Sequence, residues 1–224
     1  MPRSSQRSLN PLLQLTAALL IAAPVAAQQA PPAQPAQQPQ QAQPPAPLPP
    51  NGWRIDMSHS AVTFRVRHLG ISWVNGRFLS WQGELVYDPA NPTAASVTAR
   101  IATSSVDTEN QRRDNDIRSG NYLAVDSFPE MKFVSKRVEK VDATHLRVTG
   151  DLTLRGVTKT VTLDTEILGA LSGQRGKRVA FTATTTINRM DYGVAFNALM
   201  EGAKIVGDEV RITLDIEATQ PPTP

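Results

Sequence analysis

The chain has 224 residues, no cysteine and only 5% aromatic residues. This suits one all-β domain with a sizeable core, or at most two small domains, and it excludes disulfide staples, thiolate chemistry and thiolate metal sites. Arg3 and Arg7 are two of the 23 basic residues and the only charges before residue 54; the 21 that remain are interspersed with 20 acidic ones, which excludes a strongly basic face for nucleic acid.

Residues 1–27 read as a secretory leader. Arg3 and Arg7 form a basic start, and Leu12 to Ala23 is an apolar stretch broken only by Gln14 and Thr16. Pro24 and the small residues Val25-Ala26-Ala27 follow, so cleavage is expected after Ala27. The stretch is shorter than the ~20 residues a membrane span needs. The mature chain is therefore expected to lack a transmembrane segment and to reach the periplasm. Residues 28–50 hold nine Pro and eight Gln without a charge. Such a segment cannot bury apolar surface and reads as an extended, disordered linker.

From 51 to 219 the composition turns to Val, Thr, Ile and Phe in alternation, and 220–224 is a short tail. In Ala61–Arg67, Val62, Phe64 and Val66 share one face while Thr63, Arg65 and Arg67 share the other. Ser96–Ile101 repeats the pattern. Glu209–Thr219 is the clearest case, with Val210, Ile212, Leu214, Ile216 and Ala218 on the dry face. Runs at Asn75–Tyr87, Met131–Val138, Leu146–Leu154, Val157–Leu168 and Val179–Ile187 bring the strands to about eight. Asp88-Pro-Ala-Asn-Pro, Arg155-Gly156, Gly173 to Gly176 and Gly207-Asp208 read as turns. The polar stretch Glu109–Ser119 reads as a short helix or an ordered loop.

About eight one-sided antiparallel strands fit a closed barrel or a sandwich. A barrel of eight is just wide enough for side chains or one small ligand, and periodicity does not tell a filled barrel from a hollow one. Its interior candidates are apolar, so a ligand inside should be apolar too. A transmembrane barrel also alternates, but the aromatics are too few for two interfacial girdles.

The run Trp53-Arg-Ile-Asp-Met-Ser-His-Ser-Ala-Val-Thr-Phe-Arg-Val-Arg-His resembles the opening of the YceI-like family of bacterial polyisoprenoid-binding proteins. The likeness continues through Asn75-Gly-Arg-Phe, Tyr87-Asp-Pro, Ser105-Val-Asp-Thr, Arg113-Asp114 and Arg118-Ser-Gly. Phe128-Pro-Glu-Met-Lys-Phe, Gly150-Asp-Leu-Thr-Leu-Arg-Gly-Val-Thr-Lys and Asn188-Arg-Met-Asp-Tyr-Gly complete it. Each motif is short; their order over residues 53–217 is specific. Asp116-Ile117 stands where the family often has His-Leu, and Thr160 where Pro is common. The resemblance implies a lipocalin-like eight-stranded barrel, typically periplasmic. It also implies an elongated cavity for a polyisoprenoid, an isoprenoid quinone or a similar long-chain amphiphilic lipid. It implies no cofactor.

Cavity candidates follow. Phe64, Val66, Phe78, Phe133 and Phe181 lie on strands at positions compatible with the interior. They are core in a filled barrel and ligand contacts in a hollow one. His68 is balanced between a head-group contact and a strand-end structural role. Tyr192 either lines a cavity or packs as core. Phe196, Leu199 and Met200 fall in an apolar loop before the last strand, able to plug one barrel end or cover a lipid tail. Arg113-Asp114 reads first as an ion pair pinning the polar loop and second as a polar mouth that meets a ligand's head group.

The residues point to binding rather than catalysis. Gly70-Ile71-Ser72-Trp73-Val74 lacks the closing glycine of a nucleophile elbow, and His59 with Ser58 and Ser60 has no motif around it. No HExxH or paired-imidazole spacing marks a zinc site. Two other classes stay open: an enzyme acting on a lipid or quinone head group, and a filled barrel serving as an interaction module. A closed barrel has no free edge, so a homodimer would need side-chain patches.

Overall fold

The computed structural model describes residues 47–196, 198–200 and 202–222. The expected leader, most of the Pro/Gln segment and the last two residues of the tail lie outside the described residues.

Among the described residues there are thirteen strands: β1 Gly52–Ile55, β2 Ala61–His68, β3 Ser72–Phe78, β4 Trp81–Val86, β5 Ser96–Ala102, β6 Val106–Asp107, β7 Glu130–Lys140, β8 His145–Leu154, β9 Val157–Gly173, β10 Gly176–Asn188, β11 Leu199–Met200, β12 Ala203–Lys204 and β13 Val206–Gln220. Eight of them close an antiparallel ring in the order β1-β4-β5-β7-β8-β9-β10-β13, with β13 returning to β1. The expected eight-stranded barrel is the fold.

One of the expected strands is divided in two, and β1 is a further short strand beside it. β13 pairs with β2 through Val206–Asp215 and with β1 through Ala218–Thr219, so β1 and β2 share one path along its edge. β4 pairs with β1 and β5, while β3 pairs with β2 and β6. The run expected as one strand over Asn75–Tyr87 is thus broken at Leu79-Ser80. The break has a reason in the side-chain period. Phe78 and Trp81 are three apart, so an unbroken strand would send them to opposite faces. The bend returns both to the interior.

The Gly207-Asp208 turn signal is a bulge inside β13. Between Val206 and Val210 that strand advances four residues while its partner advances from His68 to Val66. Arg155-Gly156 is a turn as expected, with φ of 51° and 74°. Two positive φ values in a two-residue loop match the right-handed twist of the strands it joins. β9 runs past Leu168 to Gly173; Leu168 is skipped at a register shift, and Gly169–Gly173 pairs with β10 beyond the reach of β8.

The polar stretch after β6 is a helix, α1 (Gln111–Arg118). Asn110 caps it, its side chain accepting from the Arg113 amide at 3.0 Å. Asp114 in the first turn and Arg118 in the last complement the helix dipole. α1 and residues 119–129 bridge β6 to β7 across one end of the barrel, where the Arg155 guanidinium donates to the carbonyls of Gly120 and Tyr122. The buried side chains form two clusters. One lies around Trp53, Tyr87 and Phe181; the other lies around Val106, Leu123 and Tyr192, nearer α1.

Candidate functional site

The dry faces of the strands do not meet in the middle. They enclose a cavity of about 580 Å³, within the ~300–1,000 Å³ typical of small-molecule sites. Most of its wall is apolar side chains from the two core clusters.

One end is packed with aromatic side chains. Trp53 is buried, and its indole N–H donates to the Tyr87 carbonyl at 2.8 Å. The Tyr87 ring meets Phe181 edge-on, with centroids 5.1 Å apart. Burial, aided by the negative charge of Asp88, pushes the Tyr87 phenol above its usual range. It stays neutral, as an apolar wall requires.

The other end carries the charge. Arg67 and His68 at the tip of β2, Arg113 and Asp116 on α1, and Arg189 after β10 all border the cavity there. Arg113 and Asp114 do not pair with each other as expected; both hold Thr108. Arg113 donates to the Thr108 hydroxyl at 2.8 Å and to its carbonyl at 2.7 Å. Asp114 accepts from the Thr108 amide at 2.9 Å and its hydroxyl at 2.5 Å. Both side chains reach back from the first turn of α1 to the same threonine, so a clamp wins over a direct pair. Arg113 is thereby fixed at the rim of the cavity.

Arg189 is 4% exposed and satisfied from all sides. It donates to the carbonyls of Gly207 at 2.8 Å, Val194 at 2.5 Å and Val206 at 3.0 Å, and it lies 3.5 Å from the Asp208 carboxylate. It therefore ties the bulge of β13 to the loop after β10. Its side chain was not singled out by periodicity, because it lies beyond the strand; its place in Asn188-Arg-Met-Asp-Tyr-Gly was the available signal.

Six of the ten expected cavity residues line it: Phe64, Val66, His68, Phe78, Phe133 and Phe181. Four do not. Tyr192 is 2% exposed but packs within the cluster behind the wall. Phe196 stacks on Tyr122 at 5.1 Å, and Tyr122 is the ring that borders the cavity. Leu199 and Met200 form one arm of the β11–β12 hairpin and face outward. A loop has no period, so its inward and outward residues could not be separated in sequence.

The histidine groupings lie outside the cavity. His59 Nδ1 is 3.1 Å from both Ser58 Oγ and Asp56 Oδ2. A hydrolytic relay needs two different ring nitrogens for these two contacts, so this is a turn-stabilising cluster. Asp56, His59 and Glu217 also stand close enough to share a cation. Arg178 already supplies the positive charge, contacting Glu217 and lying 3.5 Å from Asp56. Within the cavity, no hydrogen bond joins His68 to a carboxylate among the described residues.

A family model described as the YceI-like domain matches residues 53–218. The chain belongs to the YceI-like family. Among relatives of this YceI-like chain, a UPF0312 protein of Shewanella sp. (strain ANA-3) is 43% identical over 140 residues, covering 61% of this chain and 72% of its own. The crystal structure of the Campylobacter jejuni YCEI protein is 30% identical, with a TM-score of 0.60 over 70% of this chain and 90% of its own. A domain from Saccharophagus degradans, described as polyisoprenoid-binding and implicated in plant cell wall breakdown, shares the fold at 15% identity, with a TM-score of 0.55 over 77% of this chain and 100% of its own.

Proposed function

We propose that this protein is an exported, periplasmic binding protein that holds one long-chain apolar lipid, a polyisoprenoid or an isoprenoid quinone, inside the barrel. The observation that carries the reading is the cavity of about 580 Å³, apolar along its length and charged at one end only. A long chain with a small polar head matches that polarity. Each methylene moved from water into the cavity contributes ~0.8 kcal/mol, so a long chain gains most. Phe64, Val66, Phe78, Phe133 and Phe181 contact the tail, and His68 stands by the head. Family membership and the description of the Saccharophagus degradans domain support the ligand class.

The test is mass spectrometry of an organic extract of the protein purified from its periplasm, beside a denatured control. A stoichiometric long-chain lipid is the expected result. A clean extract, repeated after incubation with a polyprenyl mixture, sinks the proposal. The intact mass in the same experiment checks export, because a chain cleaved after Ala27 begins at Gln28.

A further inference from the structure

We propose that the charged end of the barrel docks on an anionic phospholipid bilayer. The surface is built from the β2–β3 turn, strand β11 beside it and a patch of arginines next to them. Ile71, in the β2–β3 turn, is 81% exposed. Leu199 and Met200, on β11, are 64% and 50% exposed. The two segments are joined: the Leu69 amide donates to the Ile205 carbonyl at 3.2 Å, and the Ile205 amide to the Ala198 carbonyl at 3.0 Å. Large exposed apolar side chains grouped together mark a contact surface rather than a solvated one.

The arginines determine which contact. Arg65 on β2 and Arg211 on β13 are direct cross-strand partners. Like charges facing each other across a sheet are unfavourable. Arg67 stands on the same outward face. All three guanidinium groups gather on one indole, 4.7 Å, 4.0 Å and 5.0 Å from the Trp73 ring for Arg65, Arg67 and Arg211. Trp73 lowers the cost of the cluster but supplies no anion. Among the described residues none of the three forms an ion pair, and Glu209, outward on the same stretch of β13, forms none with them. Elsewhere on the wall Arg77, Arg100, Lys136, Arg147 and Arg178 each face a carboxylate. The patch at this end is complementary to an external anionic surface. The side chains of Ile71, Leu199 and Met200 with arginines beside them fit a bilayer interface, where the apolar side chains meet the acyl boundary and the cations meet phosphate groups. The same end carries the charged rim of the cavity, with His68, Ile205 and Val206 in its lining. Docking there places the rim against the phase that dissolves apolar chains.

The docking residues Arg65, Arg211, Ile71 and Leu199 lie outside the cavity lining, so docking and cargo can be read apart. The experiment is co-sedimentation of the purified protein with vesicles of phosphatidylcholine alone and of equimolar phosphatidylcholine and phosphatidylglycerol. Wild type, Arg65→Gln/Arg211→Gln and Ile71→Ser/Leu199→Ser are compared; all carry the same segment before residue 51, so differences belong to the barrel. Wild type is expected to favour the anionic vesicles. Losing two arginines weakens that binding by roughly 25-fold, at about fivefold per basic residue near an anionic surface. The serine pair weakens it by about tenfold or more. High salt removes the preference for anionic vesicles. The lipid extracted from either variant matches wild type. Equal binding to both vesicle types, or binding that neither pair of substitutions weakens, overturns the proposal. A cargo-free barrel that still sediments leaves docking standing; a loaded barrel that does not sediment removes docking alone.

Discussion

Gly76 on β3 lies directly across from Phe64 on β2, and the Phe64 ring occupies the space a side chain at 76 would need. A Cβ on Gly76 would fall 2.3 Å from the Cζ atom of that ring. The same device recurs on the far wall. A Cβ on Gly150 would fall 2.5 Å from the Phe133 Cζ and also 2.5 Å from the Val134 carbonyl oxygen. Both rings line the cavity. Two glycines therefore set how far two phenylalanines lie back against the wall, and with that the width of the space.

The two glycines should respond differently to alanine. At Gly76 the obstacle is the far end of one ring, which can swing into the cavity. Gly76→Ala should fold with a loss under about 1 kcal/mol and take up less lipid. At Gly150 the obstacle includes backbone, which cannot move aside without distorting β7. Gly150→Ala should cost about 1–3 kcal/mol, as overpacking does. Urea midpoints for both variants, measured without ligand, decide it. Equal losses would contradict the assignment.

Arg189 offers a second test. Its guanidinium serves three carbonyls and Asp208 at once while almost wholly buried. Arg189→Met leaves those acceptors without a donor and Asp208 without its buried partner. The expected cost is about 2–5 kcal/mol, read as a fall in the urea midpoint with an unchanged slope. Arg189→Lys should rescue little, because a single ammonium cannot span the fork.

Much of this architecture is visible in the residues themselves. The alternation of Val210, Ile212, Leu214 and Ile216 against Glu209, Arg211, Thr213 and Asp215 marks one wet and one dry face, and β13 follows it. The interior phenylalanines of β2, β3, β7 and β10 follow from the same period. β1 was not legible, because four residues carry too little pattern and its place depends on β4 and on the far end of β13. The break at Leu79-Ser80 was visible as a change of parity between Phe78 and Trp81, yet it reads as a break only once both are known to face inward. Arg113 is legible only as one of two readings of Arg113-Asp114, while Tyr122 and Arg189 come to the cavity from loops, where chain spacing carries no geometric information. The hollow itself is invisible to any pattern, since it is set by volumes such as those above Gly76 and Gly150.

Asp142 gives the acid stability of the fold a local handle. In the turn between β7 and β8 its carboxylate accepts from the Thr144 amide at 2.8 Å and from the His145 amide at 2.8 Å, with His145 Nδ1 3.0 Å away. The Thr144 amide, then the His145 side chain, holds its carboxyl at about 2, below the usual 3.8. A depressed folded value stabilises the fold fully above the unfolded value. The contribution fades as pH falls from about 4 to about 2. Thermal midpoints of wild type and Asp142→Asn, taken from pH 6 to pH 2, should converge as the acid end is reached. A gap that stays constant across that range would show that the carboxylate contributes through shape alone.

The cavity makes its strongest prediction through chain length. If the wall recognises only apolar surface, affinity for a series of prenyl chains should rise with each added unit. At ~0.8 kcal/mol per methylene, that is about fourfold per carbon before losses to chain ordering. The rise must stop where the cavity is full, because further carbons stay in water or disturb the charged rim. Ala183 lies on β10 and borders the cavity midway between Phe181 and Thr185 along the strand. Ala183→Leu adds three carbons to the wall there. The plateau should then come at a shorter chain, and the longest ligands should bind about tenfold or more weakly, while short ones are unaffected. Calorimetric titration of the series against wild type and variant reads both effects. A plateau that does not move would place the chain outside the barrel, whatever lipid the protein carries.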